Sequence, residues 1–151
     1  MEKRIGIDNN IGSAHMVLGR DLNPHDTLFA GRASEMIIEC GFMEAMDFLQ
    51  TKHIVCQGLD GFRFLRPVKK GDTILITSTV VQVGKSSVGV YMAIYLAPER
   101  IKTAEGFVTF AHIDEATGHS APHGVELEKL SQEETKLQAR YAAFRSVHSE
   151  V

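Results

Sequence analysis

Two carboxylates stand four residues apart in a stretch that is otherwise largely apolar: Glu35 and Glu39, set among Met36, Ile38, Met43 and Met46. On a helix, Glu39 follows Met36 by three residues and precedes Met43 by four and Met46 by seven, so it lies in the methionine stripe. A carboxylate held among methionine side chains loses its water, and desolvation raises its pKa toward the range of a general base. The chemistry this points to is proton transfer or activation of water. The plainer alternative is a solvated edge, where Arg32 eases the like-charge pair and the methionines fill a core. Other combinations are weaker. His25 reads as a solvent-exposed loop histidine, and His112 and Asp114 complete no metal set with anything nearby. There is no GxSxG, no phosphate-binding glycine motif and no CxxC. By itself, Gly84-Lys85-Ser86-Ser87 is an ordinary hairpin turn.

These residues need elements to position them. Ala14 to Gly19 reads as a short strand, and Asn23-Pro24 marks a loop. From about Gly31 to Gln50 there is no proline, and the segment reads as one long helix capped by Thr27 or a nearby backbone group. That helix is apolar nearly all round and so is buried nearly all round, which calls for a wrapping sheet and a covering partner chain. Strands follow at 54–68 (closed by Pro67), 73–83, 88–96 and 102–113, with turns at 69–72 and 84–87. Residues 126 to about 147 read as a charged, peripheral amphipathic helix with Leu127, Leu130, Leu137 and Tyr141 inward. The order strand, helix, four strands, helix is an α+β pattern.

Bulk properties narrow the classes. The chain has 151 residues, 44% hydrophobic and 23% charged, which suits one soluble globular domain over residues 1–151. A formal net charge of −3 gives no global field that would draw in nucleic acid or an anionic bilayer, so neither is expected as a partner. No apolar run is long enough to span a membrane, and Met1-Glu2-Lys3-Arg4 has no apolar stretch behind it, so no signal peptide is expected. Two cysteines, Cys40 and Cys56, make no disulfide framework; a reducing cytoplasm is the expected compartment.

Three stretches resemble acyl-CoA thioesterases of the hotdog superfamily, in particular the bacterial and cytosolic acyl-CoA hydrolases. They are Asn23 through Leu28-Phe29-Ala30-Gly31 into the helix; Asp60 to Val68 followed by Gly71-Asp72; and Val83-Gly84-Lys85-Ser86-Ser87-Val88 followed by Gly106-Phe107-Val108-Thr109-Phe110. The resemblance covers about residues 16 to 123. It implies a hotdog fold: a curved antiparallel five-stranded sheet wrapped round one long helix (core about 12–123), plus the C-terminal helix. It also implies a homodimer with active sites at its interface, and trimers of dimers as a larger assembly. The family pairs an Asn before the helix with a carboxylate inside it, from different subunits. Asn23 matches the first. The usual carboxylate position is Ile38 here, and Glu39, one residue and 100° further on, takes the role.

The reaction implied is hydrolysis of an acyl-CoA thioester, with no cofactor beyond the coenzyme A of the substrate and no metal. Glu39 is the expected base, backbone N–H groups near Gly31 the oxyanion donors, and Asn23 the group that orients water or substrate. Arg66, Lys85, Ser86 and Ser87 are the candidate coenzyme A contacts. Two alternatives use the same scaffold: a CoA-ester lyase or hydratase, favoured by the missing carboxylate at position 38, and a non-catalytic acyl-CoA-binding protein.

Overall fold

The computed structural model describes residues 12–148. The signal-peptide expectation, resting on Met1 to Arg4, lies outside them. Strand β1 (Gly12–Met16) leads through a short 3-10 turn (Gly19–Asp21) to helix α1 (Ala30–Leu49). Strands β2 (Ile54–Phe64), β3 (Thr73–Val83), β4 (Ser87–Ala97) and β5 (Ile101–His112) follow, and helix α2 (Gln132–His148) closes the chain. The five strands form one antiparallel sheet in the order β1-β3-β4-β5-β2. This is the predicted α+β plan, with a long helix against a β meander.

Alternation along β4 shows how the core is divided. Val88, Val90, Met92 and Ile94 join the cluster under α1, whereas Tyr91, Ala93 and Tyr95 join a second cluster on the opposite face. A strand buried on both faces needs a cover on both. α1 covers one face and α2 the other. Helix and sheet approach closely where Gly41 meets β4 and β5: a Cβ there would sit 3.2 Å from Met92 Sδ and 3.4 Å from the Phe110 ring. Register shifts in β2–β5, β3–β4 and β4–β5 mark bulges, which bend the sheet.

Several boundaries differ from the expectations. β1 ends at Met16, because Val17 turns to exchange hydrogen bonds with Gly71 and Asp72. β2 ends at Phe64, before Pro67: the Leu65 and Arg66 amides both donate to the Thr103 carbonyl as the chain leaves the ladder. Thr27 does not cap α1. Its hydroxyl accepts from Asn23 Nδ2, and the cap position is Phe29, with no side-chain cap bond.

The largest correction concerns α2. It begins at Gln132, and residues 121–130 are irregular, with Val125 and Leu127 packed against the main core. Ser131 and Glu134 form a capping box: the Ser131 amide donates to Glu134 Oε1 (2.9 Å) and the Glu134 amide to Ser131 Oγ (3.1 Å). Nor is the helix peripheral. Tyr141 is buried, and Leu137 and Phe144 pack with it onto Val81, Tyr91 and Phe107.

Candidate active site

The loop entering α1 is built by Asn23. Its Oδ1 accepts from the amides of His25 (2.8 Å) and Thr27 (3.2 Å), and its Nδ2 donates to Thr27 Oγ1 (2.8 Å). A backbone bridge between Thr27 and Lys69 and a bond from the Leu28 amide to the Val68 carbonyl tie the loop to the segment after β2. Between them lies a groove of about 370 Å³ lined by Asn23, Thr27, Ala30, Phe64, Leu65 and Arg66, among others. Asn23, Arg66 and the start of α1 therefore share one site.

The missing side-chain cap matters here. The first intrahelical bond runs from the Ala33 amide to the Phe29 carbonyl, so the amides of Ala30, Gly31 and Arg32 precede the ladder. Such amides, with the helix dipole behind them, attract negative charge. Gly31 is exposed, and its lack of a side chain leaves room for the Phe29 ring. A Cβ would lie 2.5 Å from the Phe29 ring, which folds back over the first turn and is itself 52% exposed.

A pair that sequence reasoning missed fixes this end of the helix. Asp21 is buried, and its carboxylate accepts from the Leu18 amide (2.8 Å) and from Arg32 Nε (2.9 Å). The Leu18 amide, then Arg32, holds its pKa below the usual carboxylate range against the opposing effect of burial. Arg32 also reaches Glu35 Oε1 at 2.6 Å. Arg32 was legible only as a helical neighbour of Glu35; nothing in the spacing indicated Asp21.

Glu39 sits further along α1 on an open face. With Glu35, Ile38, Phe42, Met43 and Met46 it lines a concavity of about 610 Å³. Ile38 and Glu39 both reach this concavity, so the one-residue offset does not put them on unrelated surfaces. The expected methionine stripe is divided: Met36 is buried against the sheet, while Met43 is 40% exposed. Within one chain Glu39 is exposed, not enclosed among methionines.

Lys85, Ser86 and Ser87 lie elsewhere, in the β3–β4 hairpin. His112 holds the Ser86 carbonyl by its amide (2.6 Å), and His123 holds the Ser87 carbonyl by its ring (3.0 Å). Asn23, Gly31 and Arg66 lie near the start of β3, and the hairpin closes its far end. Eleven residues of strand, roughly 35 Å, separate the two ends. A single chain does not bring these groups together.

The thioesterase superfamily model matches residues 25–102. The chain is similar to an acyl-CoA thioester hydrolase of Bacillus subtilis (strain 168), YkhA, described as uncharacterized, with 27% identity over 117 residues, covering 75% of this chain and 67% of the relative. An apo-hexameric acyl-CoA thioesterase superposes with a TM-score of 0.77 at 26% identity, over 92% of this chain and 90% of that one. An acyl-CoA hydrolase from Bacillus cereus gives a TM-score of 0.79 at 24% identity, over 89% and 82%, a likeness of fold. The matched span runs from the loop just after Asn23 through α1 and strands β2, β3 and β4 to the start of β5, more than half of the chain, and the protein belongs to the thioesterase superfamily.

Proposed function

We propose that this chain hydrolyses acyl-CoA thioesters to free acid and coenzyme A, at sites shared between two copies. The observation that carries the reading is the uncapped N-terminus of α1, opening on a groove with Asn23 and Arg66, in a chain similar to acyl-CoA hydrolases. The thioester oxygen accepts from the amides at Gly31 as negative charge develops on it. Glu39 takes a proton from water, and Asn23 orients water or substrate with its remaining amide hydrogen. The reaction needs water and side chains and no further cofactor.

Helix geometry supports a second chain. Eight residues, about 12 Å along the axis, separate Gly31 from Glu39, so one helix does not present both to the same carbonyl. The apolar concavity around Ile38, Phe42 and Met43 is the surface a partner helix covers. A two-fold axis crossing α1 sets the helices antiparallel, and one copy's hairpin then lies toward the other's Asn23 loop. Lys85, Ser86 and Ser87 thus complete the coenzyme A site in trans. A homodimer is the smallest unit on this reading. A trimer of dimers is the larger one, supported by the hexameric state of the related thioesterase. Cys40 and Cys56 are free thiols, and among the described residues no helix is long and apolar enough to cross a membrane, which fits a cytoplasmic enzyme.

Thiol release from a panel of acyl-CoAs tests the reaction. Hydrolysis frees stoichiometric coenzyme A. A change in the acyl group without free thiol would replace hydrolysis by lyase or hydratase chemistry, the reading that Ile38 favours. Binding without turnover would leave only an acyl-CoA-binding role.

A further inference from the structure

We propose that the cleft between the β3–β4 hairpin and the last turns of α2 is a phosphate subsite, in which Arg145 holds the 3′-phosphorylated nucleotide end of coenzyme A. The inference rests on the reading of the chain as an acyl-CoA hydrolase and adds a residue from an element outside the family-matched span. The cleft, about 430 Å³, is lined by Gln82, Gly84, Ser87, Tyr141 and Arg145, with others.

Most of its polar groups are already engaged. Gln82 accepts from Gln138 Nε2 (2.8 Å), and the Tyr141 hydroxyl is bonded to Thr109 (2.8 Å). Two groups stand apart. Ser87 Oγ lies over the turn, where a Cβ on Gly84 would meet it at 2.5 Å, so Gly84 leaves room for a hydroxyl at the rim. Arg145 is half-buried, and among the described residues it makes no hydrogen bond or ion pair, whereas Arg32, Arg63 and Arg140 are each paired with a carboxylate. Lys85 is exposed at the hairpin tip and does not line the cleft. Asp60 is the acidic group felt by Tyr141 from β2, opposed there by Arg145. A half-buried guanidinium facing a cleft, with the Ser87 hydroxyl at its rim, suits a phosphate monoester. The place also fits the substrate: the hairpin lies at the far end of the sheet from the oxyanion amides, where the nucleotide must go if the thioester sits at the partner's α1.

Arg145 also stands in the last turn of α2, where a cation favours the helix dipole, so the test must separate binding from helix stability. Steady-state kinetics are measured with butyryl-CoA and with S-butyryl-pantetheine, which lacks the nucleotide. Arg145→Gln should raise KM for butyryl-CoA about tenfold, the worth of one charge-assisted hydrogen bond, with kcat within about twofold. KM for the pantetheine ester should not move, and Arg145→Lys should recover part of the loss. An equal rise for both esters, or no rise for butyryl-CoA, overturns the subsite. If the wild type releases no thiol from either ester, the hydrolase reading fails separately. Calorimetric binding of adenosine 3′,5′-bisphosphate then decides the subsite: binding lost in Arg145→Gln upholds it, and equal or absent binding in both proteins overturns it.

Discussion

On the proposed mechanism Asn23 has two functions in one side chain. Three of its hydrogen bonds shape the 23–27 loop, and one amide hydrogen is left for the groove. Asn23→Ala should therefore lower turnover and also cost about 1–2 kcal/mol of stability, since the loop amides lose a partner. Urea unfolding and kinetics on the same sample check both; an unchanged midpoint would mean the bridges to the post-β2 segment hold the loop alone. Glu39→Gln is nearly isosteric and tests chemistry with little change in packing. Turnover should fall by about two to four orders of magnitude, the usual contribution of a general base, with coenzyme A binding retained. Glu35→Gln is the control, because Glu35 is already paired with Arg32. Full activity in Glu39→Gln would remove Glu39 from the mechanism. Mixing the Asn23 and Glu39 variants should restore part of the activity if the two residues meet across chains.

At the scale of elements, α2 is the cover of the second sheet face. It docks through Tyr141 over Gly89 and Phe144 over Gly61, and a Cβ at either glycine would come within 2.5 Å of the ring. Gly89→Ala should displace Tyr141 and destabilise the fold by about 1–3 kcal/mol, the usual cost of overpacking; a denaturation curve identical to wild type would show that the helix gives way freely. Beneath α2, Glu105 is only 3% exposed and accepts from Arg140 (2.7 Å), Arg63 (2.8 Å) and Tyr91 (2.7 Å). Burial alone would raise its carboxyl, but the hydrogen bonds from Arg140, Tyr91 and Arg63 outweigh it and bring it down to about 2. The folded-state value lies below the ordinary value of 4.5. The contribution is therefore fully present above about pH 4.5 and is lost as pH falls toward about 2. Glu105→Gln should be less stable at neutral pH, and its stability should fall less steeply over that window. Parallel curves for the two proteins would mean that Glu105 does not govern acid unfolding.

At the scale of the whole molecule, the described residues leave open a large apolar surface, the α1 face carrying Ile38, Phe42, Met43 and Met46. Apolar patches of this kind mark interaction sites. Sedimentation at micromolar concentration should find a dimer or a multiple of it. Met43→Lys places a charge in the centre of that face and should shift the population toward monomer, with activity falling in step. A wild-type protein sedimenting as a folded monomer would remove the shared site and, with it, the role of the hairpin in trans.

Much of this was legible before any coordinates. The β-branched runs at 73–83 and 88–96, the proline-free apolar segment after Gly31 and the turn residues between strands have local causes, so strand order in sequence and helix type follow from the chain. Asn23 and Arg66 were legible only as separate candidates; that they line one groove was not, because only the fold brings their two loops to the same end of the helix. Where α2 begins could have been read from Ser131 and Glu134, whose spacing is a capping box. What it covers could not, because Gly61, Gly89 and Phe107 are far from it in sequence and their spacing carries no trace of Tyr141 or Phe144. Asp21 gave no signal for the same reason: its partner Arg32 is 11 residues away, and only the folded loop brings them together. The environment of Glu39 was misread because the methionine stripe is a property of the helix, whereas burial is a property of what packs on it. The sheet takes Met36 and leaves Met43 and Glu39 facing outward. Residue type and spacing determined the candidates and the elements that carry them; tertiary structure alone decided which side of each element meets the sheet, and which side is left open for another chain.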